Sequence, residues 1–297
     1  MRVAITGSSG LVGTALVEHL REAGHEVLPV VRGDSADPAA MWDPAAGWVR
    51  DGALEGVEAI VHLAGASIGD GRWSDSRKQL LRSSRIEATR LLVDHLGTLE
   101  SGPRVVIGAS AVGYYGDRGD EQLTEEAAAG EGFLAELVRD WERETLRAGE
   151  HGARAVAIRT GLVLAGHGGV LQRMLLPFRM GVGGRLGSGR QWMSWISLED
   201  LVNVIGFALV RDELSGAVNA VAPGAVTNRE FTKVLGRVLR RPTLLPTPGF
   251  GLRLLFGEQA DELLLSGQHV IARKLLDAGY QFRHRELEPA LRDALGR

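Results

Sequence analysis

The chain has 297 residues, 44% of them apolar, with 40 glycines and only 5% aromatics; this composition favours a globular protein rich in tight turns over a disordered or fibrous one. A formal net charge of −3 gives no field that would recruit nucleic acid or an acidic membrane, so a small molecule is the expected partner. The lack of cysteine excludes disulfides, thiolate metal sites and thiol nucleophiles, and any redox chemistry then requires a bound cofactor.

The N-terminal MRVAITGSSG enters a strand within two residues and carries no secretory signal. No run of 18 apolar residues occurs, and a soluble cytoplasmic protein is expected. Residues 2–6, RVAIT, read as a short buried strand, and 11–23, LVGTALVEHLREA, carry apolar residues at helical spacing that close at Gly24. EVLPVVR at 26–32 completes a βαβ unit. The runs AIVHLAGA (59–66), RVVIGAS (104–110) and RAVAIRTGLVL (154–164) then alternate with helical segments 75–96 and 132–148.

Such alternation predicts an α/β fold, a Rossmann-type doubly wound parallel sheet. Beyond residue 165 come Gly-rich loops, a helix over 170–180, a strand over 216–222 and helices over 228–240, 249–265 and 286–295. The expected division is a dinucleotide-binding domain over 1–165 and a smaller, mainly helical C-terminal lobe over 166–297, with some strands returning to the main sheet.

Gly7-Ser8-Ser9-Gly10-Leu11-Val12-Gly13 lies between the first strand and the first helix. Glycines there allow a tight turn, close approach to a pyrophosphate and packing of helix on strand, while the helix start offers free N–H groups. The second strand ends in Arg32 rather than an acid; an arginine pairs a ribose 2′-phosphate, which points to NADP, although Asp34 is close by. His62-Leu63-Ala64-Gly65 ends the following strand with small residues suited to close passage by a cofactor, and His62 reads as a strand histidine rather than a ligand. No spacing suggests a metal.

Arg72-Trp73 and the segment carrying Arg190, Trp192 and Trp195 combine cations with flat aromatic surfaces; Trp73, Arg190 and Trp192 are the candidates for holding substrate. Trp195 alternates with apolar neighbours and reads equally as structural. Glu199-Asp200 reads as a helix cap, and Arg237, Arg240 and Arg241 as a solvated helix end.

The glycine motif, HLAGA, the strand ending in Ser110 and the YYGDRGD after it resemble the extended short-chain dehydrogenase/reductase superfamily. With GDGRW (69–73), SRIEATRLL (84–92), FLAELVRDWE (133–142), RTGLVL (159–164), GSGRQWMSWISLEDL (187–201) and LLLSGQ (263–268), nearly the whole chain is similar to its atypical, sugar-nucleotide-epimerase-like branch. The resemblance implies a dinucleotide held by the glycine loop, Leu63 to Gly65, Ser110 and Arg159, with Ser110 orienting a substrate carbonyl. It also implies a Tyr-x-x-x-Lys pair, and here the chain departs. Phe133 or Leu134 stands at the Tyr, and Leu137 or Val138 at the Lys.

A phenyl or isobutyl group exchanges no proton, so another acid or base is required near the nicotinamide. Tyr114 and Tyr115, just past Ser110, are the candidates, and Arg85, Arg118 and Arg159 are the cations available to lower a phenol pKa. Two readings remain open: an NADP(H)-dependent oxidoreductase or epimerase-like protein acting on a small carbonyl or hydroxyl compound, and a catalytically silent NADP(H)-binding sensor. The chain is expected as a monomer or homodimer.

Overall fold

Parallel strands covered on both faces carry unbroken apolar runs, and the computed structural model, which describes residues 1–34, 36 and 41–297, gathers the runs above into one sheet. Strands β1 (Arg2–Thr6), β2 (Glu26–Val30), β3 (Ala59–His62), β4 (Val105–Ala111), β5 (Arg154–Thr160) and β6 (Gly216–Ala220) lie in the order β6-β5-β4-β3-β1-β2. Every pairing in that sheet is parallel. The strand order reverses between β1 and β3, and in an open α/β sheet such a reversal leaves a crevice at the carboxyl ends.

The period-2 alternation of strand side chains divides the core in two. Val3, Ile5, Val61, Ile107 and Ile158 face one layer, built by α1 (Leu11–Glu22) and, later in the chain, residues 198–210. Ala4, Ile60 and Val106 face the other, where α3 (Ala88–Leu96) contributes Leu92, Val93 and Leu96. The stretch read over 75–96 is helical throughout, with one widened turn: α2 (Asp75–Arg82) passes into α3 through a π-helical turn, Ser83–Glu87. A two-stranded hairpin, Trp42–Asp43 against Trp48–Val49, follows β2 and has no counterpart in the sequence reading.

Helix α4 (Phe133–Leu146) lies against β4, β5 and α3. Beyond β5 the chain forms α5 (Gly169–Arg179), returns through α6 (Leu198–Val210), which packs on α1, and inserts β6 beside β5. The remaining lobe has its own core of Leu171, Phe178, Trp195, Phe231, Leu235 and Leu291. It includes α7 (Asn228–Leu239), started by a capping box between Thr227 and Glu230, and α8 (Gly249–Phe256). The helix read over 249–265 breaks at Gly257, which has φ +63°, and resumes as a short helical stretch and a π-turn, Asp261–Leu265. Among the described residues no helix is long and apolar enough to cross a membrane.

Candidate functional site

The loop after β1 is fitted to its neighbours at distances no side chain tolerates. Gly7 has φ +68°, and a Cβ there would stand 2.9 Å from Ala64 N and Leu63 C, so the loop rests on the residues leaving β3. A Cβ on Gly13, in the first turns of α1, would fall 2.1 Å from the Gly7 carbonyl oxygen. Gly10 is the N-cap of α1; it supplies no side-chain cap, and the first turn carries no acid. The N–H groups of that turn are left as free donors at the positive end of the helix. Ser8, Leu11 and Val12 are half-buried around this cradle and Ser9 is exposed.

Thr6 fastens β1 to β3. Its Oγ1 accepts from Ala64 N at 3.3 Å and shares a hydrogen bond of 2.7 Å with His62 Nδ1. The other ring nitrogen, His62 Nε2, is buried without a partner. Burial pushes the His62 imidazole down to about 4, which makes it a neutral strand histidine. Arg32 is exposed beyond the carboxyl end of β2, its backbone bridged to Trp42. Asp34 Oδ1 accepts from Ala36 N in a local turn.

Next to this cradle, at the ends of β4 and β5, lies a buried polar network. Ser110 Oγ donates to Glu142 Oε1 at 2.5 Å. Arg159 grips both oxygens of the same carboxylate, Nε on Oε1 and Nη2 on Oε2, each at 2.8 Å. Its Nη1 donates to the Tyr115 hydroxyl at 2.9 Å, which donates in turn to Asn219 Oδ1 at 2.7 Å. Asn219 N and Lys274 N both reach Glu125 Oε1. Burial alone would lower the Arg159 guanidinium, but the hydrogen bonds and charge of Glu142 hold it above the usual arginine value.

Several sequence expectations are revised by this geometry. Arg159, expected to line the dinucleotide, is 3% exposed and has its donors committed to Glu142, Tyr115 and the Glu125 carbonyl. Tyr115, expected as a proton carrier, is fully buried. Burial pushes its phenol up to about 12 against the pull of Arg159 and Asn219. Tyr114 is half-buried, stands edge-on to Tyr115, and carries the Arg159 guanidinium 3.5 Å over its ring. Of the three cations proposed to act on the tyrosines, Arg159 alone is in contact with them; Arg118 pairs with Glu121, and Arg85 lies against Trp141.

Phe133 and Leu137 are packed into an apolar cluster with Trp73, Leu81 and Leu134. Lys78 and Arg82 lie 5.0 and 5.3 Å from the Phe133 ring centre. Trp73, expected to hold substrate, is part of this cluster: it is 8% exposed, its ring edge-on to Phe133 and its Nε1 donating to the Ile68 carbonyl. Trp192 stacks on His269 at 3.8 Å and donates to Asp120, while Arg190 is exposed. The three residues therefore form no single aromatic clamp. Trp195 is fully buried and donates to the Gly224 carbonyl, a structural role, and Asp200 N is capped by Ser197 Oγ.

Sequence reading missed Glu142, Asn219 and Glu125. The signal was present for the first: a charge within the apolar stripe of α4 and another, Arg159, within a strand imply a buried pair. It also missed Glu262, whose carboxylate accepts from Phe133 N and Leu134 N and so caps α4 from 129 and 128 residues away. Between the loop after β4 and this segment lies a cavity of about 310 Å³, bordered by Gly113, Asp117, Leu134, Arg253, Glu262 and Gln268. A larger hollow of about 430 Å³, between α1 and α6, contains none of the expected site residues. Among the described residues one group of metal-ligating type occurs, Glu199, His284 and Asp293, with Glu199 already paired to Arg283.

The comparisons with known proteins agree with this arrangement. Residues 3–220 match the model of the NAD dependent epimerase/dehydratase family, and residues 247–294 that of a domain of unknown function. An epimerase family protein of Mycobacterium tuberculosis is 49% identical over 290 residues, 97% of this chain and 96% of that protein. The human epimerase family protein SDR39U1, solved with NADPH, superposes over 100% of this chain and 99% of its own with a TM-score of 0.88 at 34% identity. A UDP-galactose 4-epimerase, at 20% identity and a TM-score of 0.72, shares the fold. The glycine cradle, the sheet order and the matched span give one conclusion: the chain belongs to the NAD-dependent epimerase/dehydratase family.

Proposed function

We propose that the protein is an NADP(H)-dependent oxidoreductase or epimerase-like enzyme that acts on a small carbonyl or hydroxyl compound. The observation that carries this reading is the cradle between β1, α1 and β3, where a Cβ at Gly7 or Gly13 would collide with backbone and the first turn of α1 lacks a cap. Gly7 to Val12 would hold the diphosphate, Leu63 to Gly65 would flank the nucleoside beside it, and the exposed Arg32 would pair the 2′-phosphate. The relative solved with NADPH supports that choice of cofactor.

The bound nicotinamide supplies hydride to, or takes it from, a carbon bearing oxygen. The chain's own residues have to position that oxygen and handle its proton. Ser110, whose hydroxyl proton is engaged by Glu142, would present its lone pairs to a substrate hydroxyl. Tyr114, the less buried of the two tyrosines, would carry the proton, with the Arg159 guanidinium 3.5 Å over its ring to hold it in place. Tyr115 and Glu142 act as positioning residues that fix Arg159.

The silent-sensor reading is favoured by one observation, the sealing of Phe133 and Leu137 in an apolar cluster. Parallel fluorescence titrations with NADPH and NADH, followed by a carbonyl screen, separate the two. Expected are selective NADPH binding, weakened at least tenfold by Arg32→Ala, and carbonyl-dependent NADPH oxidation that Tyr114→Phe abolishes. Binding without turnover of any carbonyl supports the sensor; absence of binding to either dinucleotide removes both readings.

A further inference from the structure

The hollow of about 430 Å³ between α1 and α6 lies along the part of α1 farther from the glycine cradle. Its wall carries four carboxylates, Glu18, Glu22, Glu199 and Asp293, and no lysine or arginine is among the residues lining it, so it favours a cation. Three groups meet at its edge: Glu199 in the first turn of α6, His284, and Asp293 near the end of the last helix, Leu287–Ala294. One ligand-type atom from each lies within 4.8 Å of the other two. They come from two separate stretches of chain, so no local spacing reveals them.

The hydrogen positions are set by the residues behind His284. Asp200 accepts from the backbone N–H groups of Arg283 and His284 and, at 2.9 Å, from Ser197 Oγ. The single hydroxyl proton of Ser197 is spent there, so towards His284 Nδ1, 3.2 Å away, its oxygen can only accept. Nδ1 therefore carries a hydrogen, and Nε2 of the neutral ring presents a lone pair. His284 is 7% exposed, and among the described residues its Nε2 makes no hydrogen bond; Asp293 Oδ2 faces it from 3.7 Å. Glu199 adds a carboxylate whose Oε1 is engaged by Arg283, leaving Oε2 for a further partner. Three acceptors converge with no donor between them.

A desolvated acceptor without a donor is costly, and a cation satisfies all three at once. Imidazole with carboxylates suits a zinc-type ion, whereas Mg²⁺ and Ca²⁺ take oxygen ligands. Ser197, backed by Asp200, accepts from the other ring N–H, the arrangement that fixes the tautomer and orientation of a metal-bound histidine. Ligands about 2.1 Å from a tetrahedral ion stand about 3.4 Å apart, so the widest gap has to close by about 1.4 Å at most. Glu199 and Asp293, 39% and 57% exposed, have the freedom to do so.

We propose that Glu199, His284 and Asp293 form a site for a divalent transition metal of the zinc type, with water from the hollow in the remaining position. The ion joins the last helix to the start of α6 and raises the stability of the fold by binding it. The site stands apart from the dinucleotide cradle and holds whether or not that cradle takes NADPH.

The test is titration of the chelator-treated full chain with Co²⁺, followed by visible absorption, and displacement of the Co²⁺ by Zn²⁺. The proteins are the wild type, His284→Gln, Asp293→Asn, Glu199→Gln and, as a control, His151→Gln, an exposed histidine elsewhere. The wild type and the control should bind one ion per chain, with a rise in melting temperature that saturates with the metal. Affinity should fall about tenfold or more in His284→Gln and Asp293→Asn, and less in Glu199→Gln, whose carboxylate is shared with Arg283. Excess Mg²⁺ should not displace Co²⁺; displacement by Mg²⁺ would overturn the zinc-type assignment. No saturable binding by the wild type, the result expected if a proton on Nε2 holds the two carboxylates, overturns the site. Equal affinity in the wild type and all three site variants overturns it too, by placing the metal on other surface groups. Asp293→Asn keeps the test decisive if His284→Gln fails to fold, because Asp293 is exposed and faces only His284 among the described ion pairs.

Discussion

Glu142→Gln isolates the buried network from the cofactor cradle. Glu142 is 4% and Arg159 3% exposed, so the amide would leave a guanidinium in the interior with no counter-charge. It would also oppose one N–H of Arg159, or the Ser110 hydroxyl, with an NH₂ group that cannot accept. Removing one member of a buried ion pair costs about 3–5 kcal/mol, a large share of the roughly 5–15 kcal/mol that holds a domain folded. Arg159→Met should be similarly harmful, because it strands the carboxylate. The double variant Glu142→Gln/Arg159→Met removes both charges together and should cost less than the sum of the singles by about 2 kcal/mol or more. Urea unfolding at pH 7 measures all four proteins, and NADPH titration of each should agree with the wild type within about threefold, since neither residue lies in the cradle. A Glu142→Gln cost below about 1 kcal/mol, the range of an exposed pair, or strict additivity of the two singles, would refute the assignment of the pair as a buried, coupled unit.

Two further outcomes follow from single positions. Gly13→Ala must displace backbone, because its Cβ would lie 2.1 Å from the Gly7 carbonyl oxygen; NADPH affinity should fall at least tenfold and stability by about 1–3 kcal/mol. Gly24→Ala is the control: nothing lies within 4 Å of its Cβ, so only its φ of +80° is strained. It should cost about 1–2 kcal/mol with cofactor affinity intact, and equal NADPH affinity in the two variants would contradict the cradle. His62 titrates at about 4 in the folded chain, below its ordinary 6.5, so between those values the unfolded chain binds the extra proton. Its contribution is complete above pH 6.5 and is lost as pH falls towards 4, about 1.4 kcal/mol per pH unit and roughly 3 kcal/mol in all. Replacing His62 by Asn, whose amide can either accept from or donate to the Thr6 hydroxyl, should flatten the fall in urea midpoint from pH 6.5 to 4.5; an unchanged slope would show that His62 is not desolvated as described.

What the sequence made legible was whatever depends on local spacing. β1, β3 and β4 were readable because strands buried on both faces are apolar at every position. The glycine loop was readable because its geometry is set within seven residues. Tyr114 and Tyr115 could not be told apart, because they sit on a short 3₁₀ turn, Val112–Tyr115. Adjacent residues on such a turn point about 120° apart, so one enters the core while its neighbour lines its edge. Trp73 shares its aromatic and cationic neighbourhood with real ligand clamps, and only its long-range packing on Phe133 assigns it to the interior. Glu262 capping α4 and Arg159 meeting Glu142 are tertiary events, joined across 129 and 17 residues, which no local pattern encodes.

The positions where a Tyr–Lys pair would work have become part of the scaffold. Phe133, Leu137 and Trp141 recur every four residues along one stripe of α4. They meet Trp73, just before α2, Leu81 on α2 and Arg85 on the π-turn that follows it. Restoring a tyrosine at 133 would set a hydroxyl beside Trp73 within that cluster and near Lys78 and Arg82, so the proton pair cannot be returned by that substitution alone. The charges near the crevice are distributed differently: Arg159 is neutralised by Glu142, whereas Arg85 forms no ion pair among the described residues and lies against the Trp141 ring. A paired arginine held by two parallel hydrogen bonds fixes the shape of what surrounds it. The charged groups of this edge are therefore divided between a closed network around Ser110, Glu142 and Arg159 and the half-buried Arg85, with the apolar stripe of α4 between them.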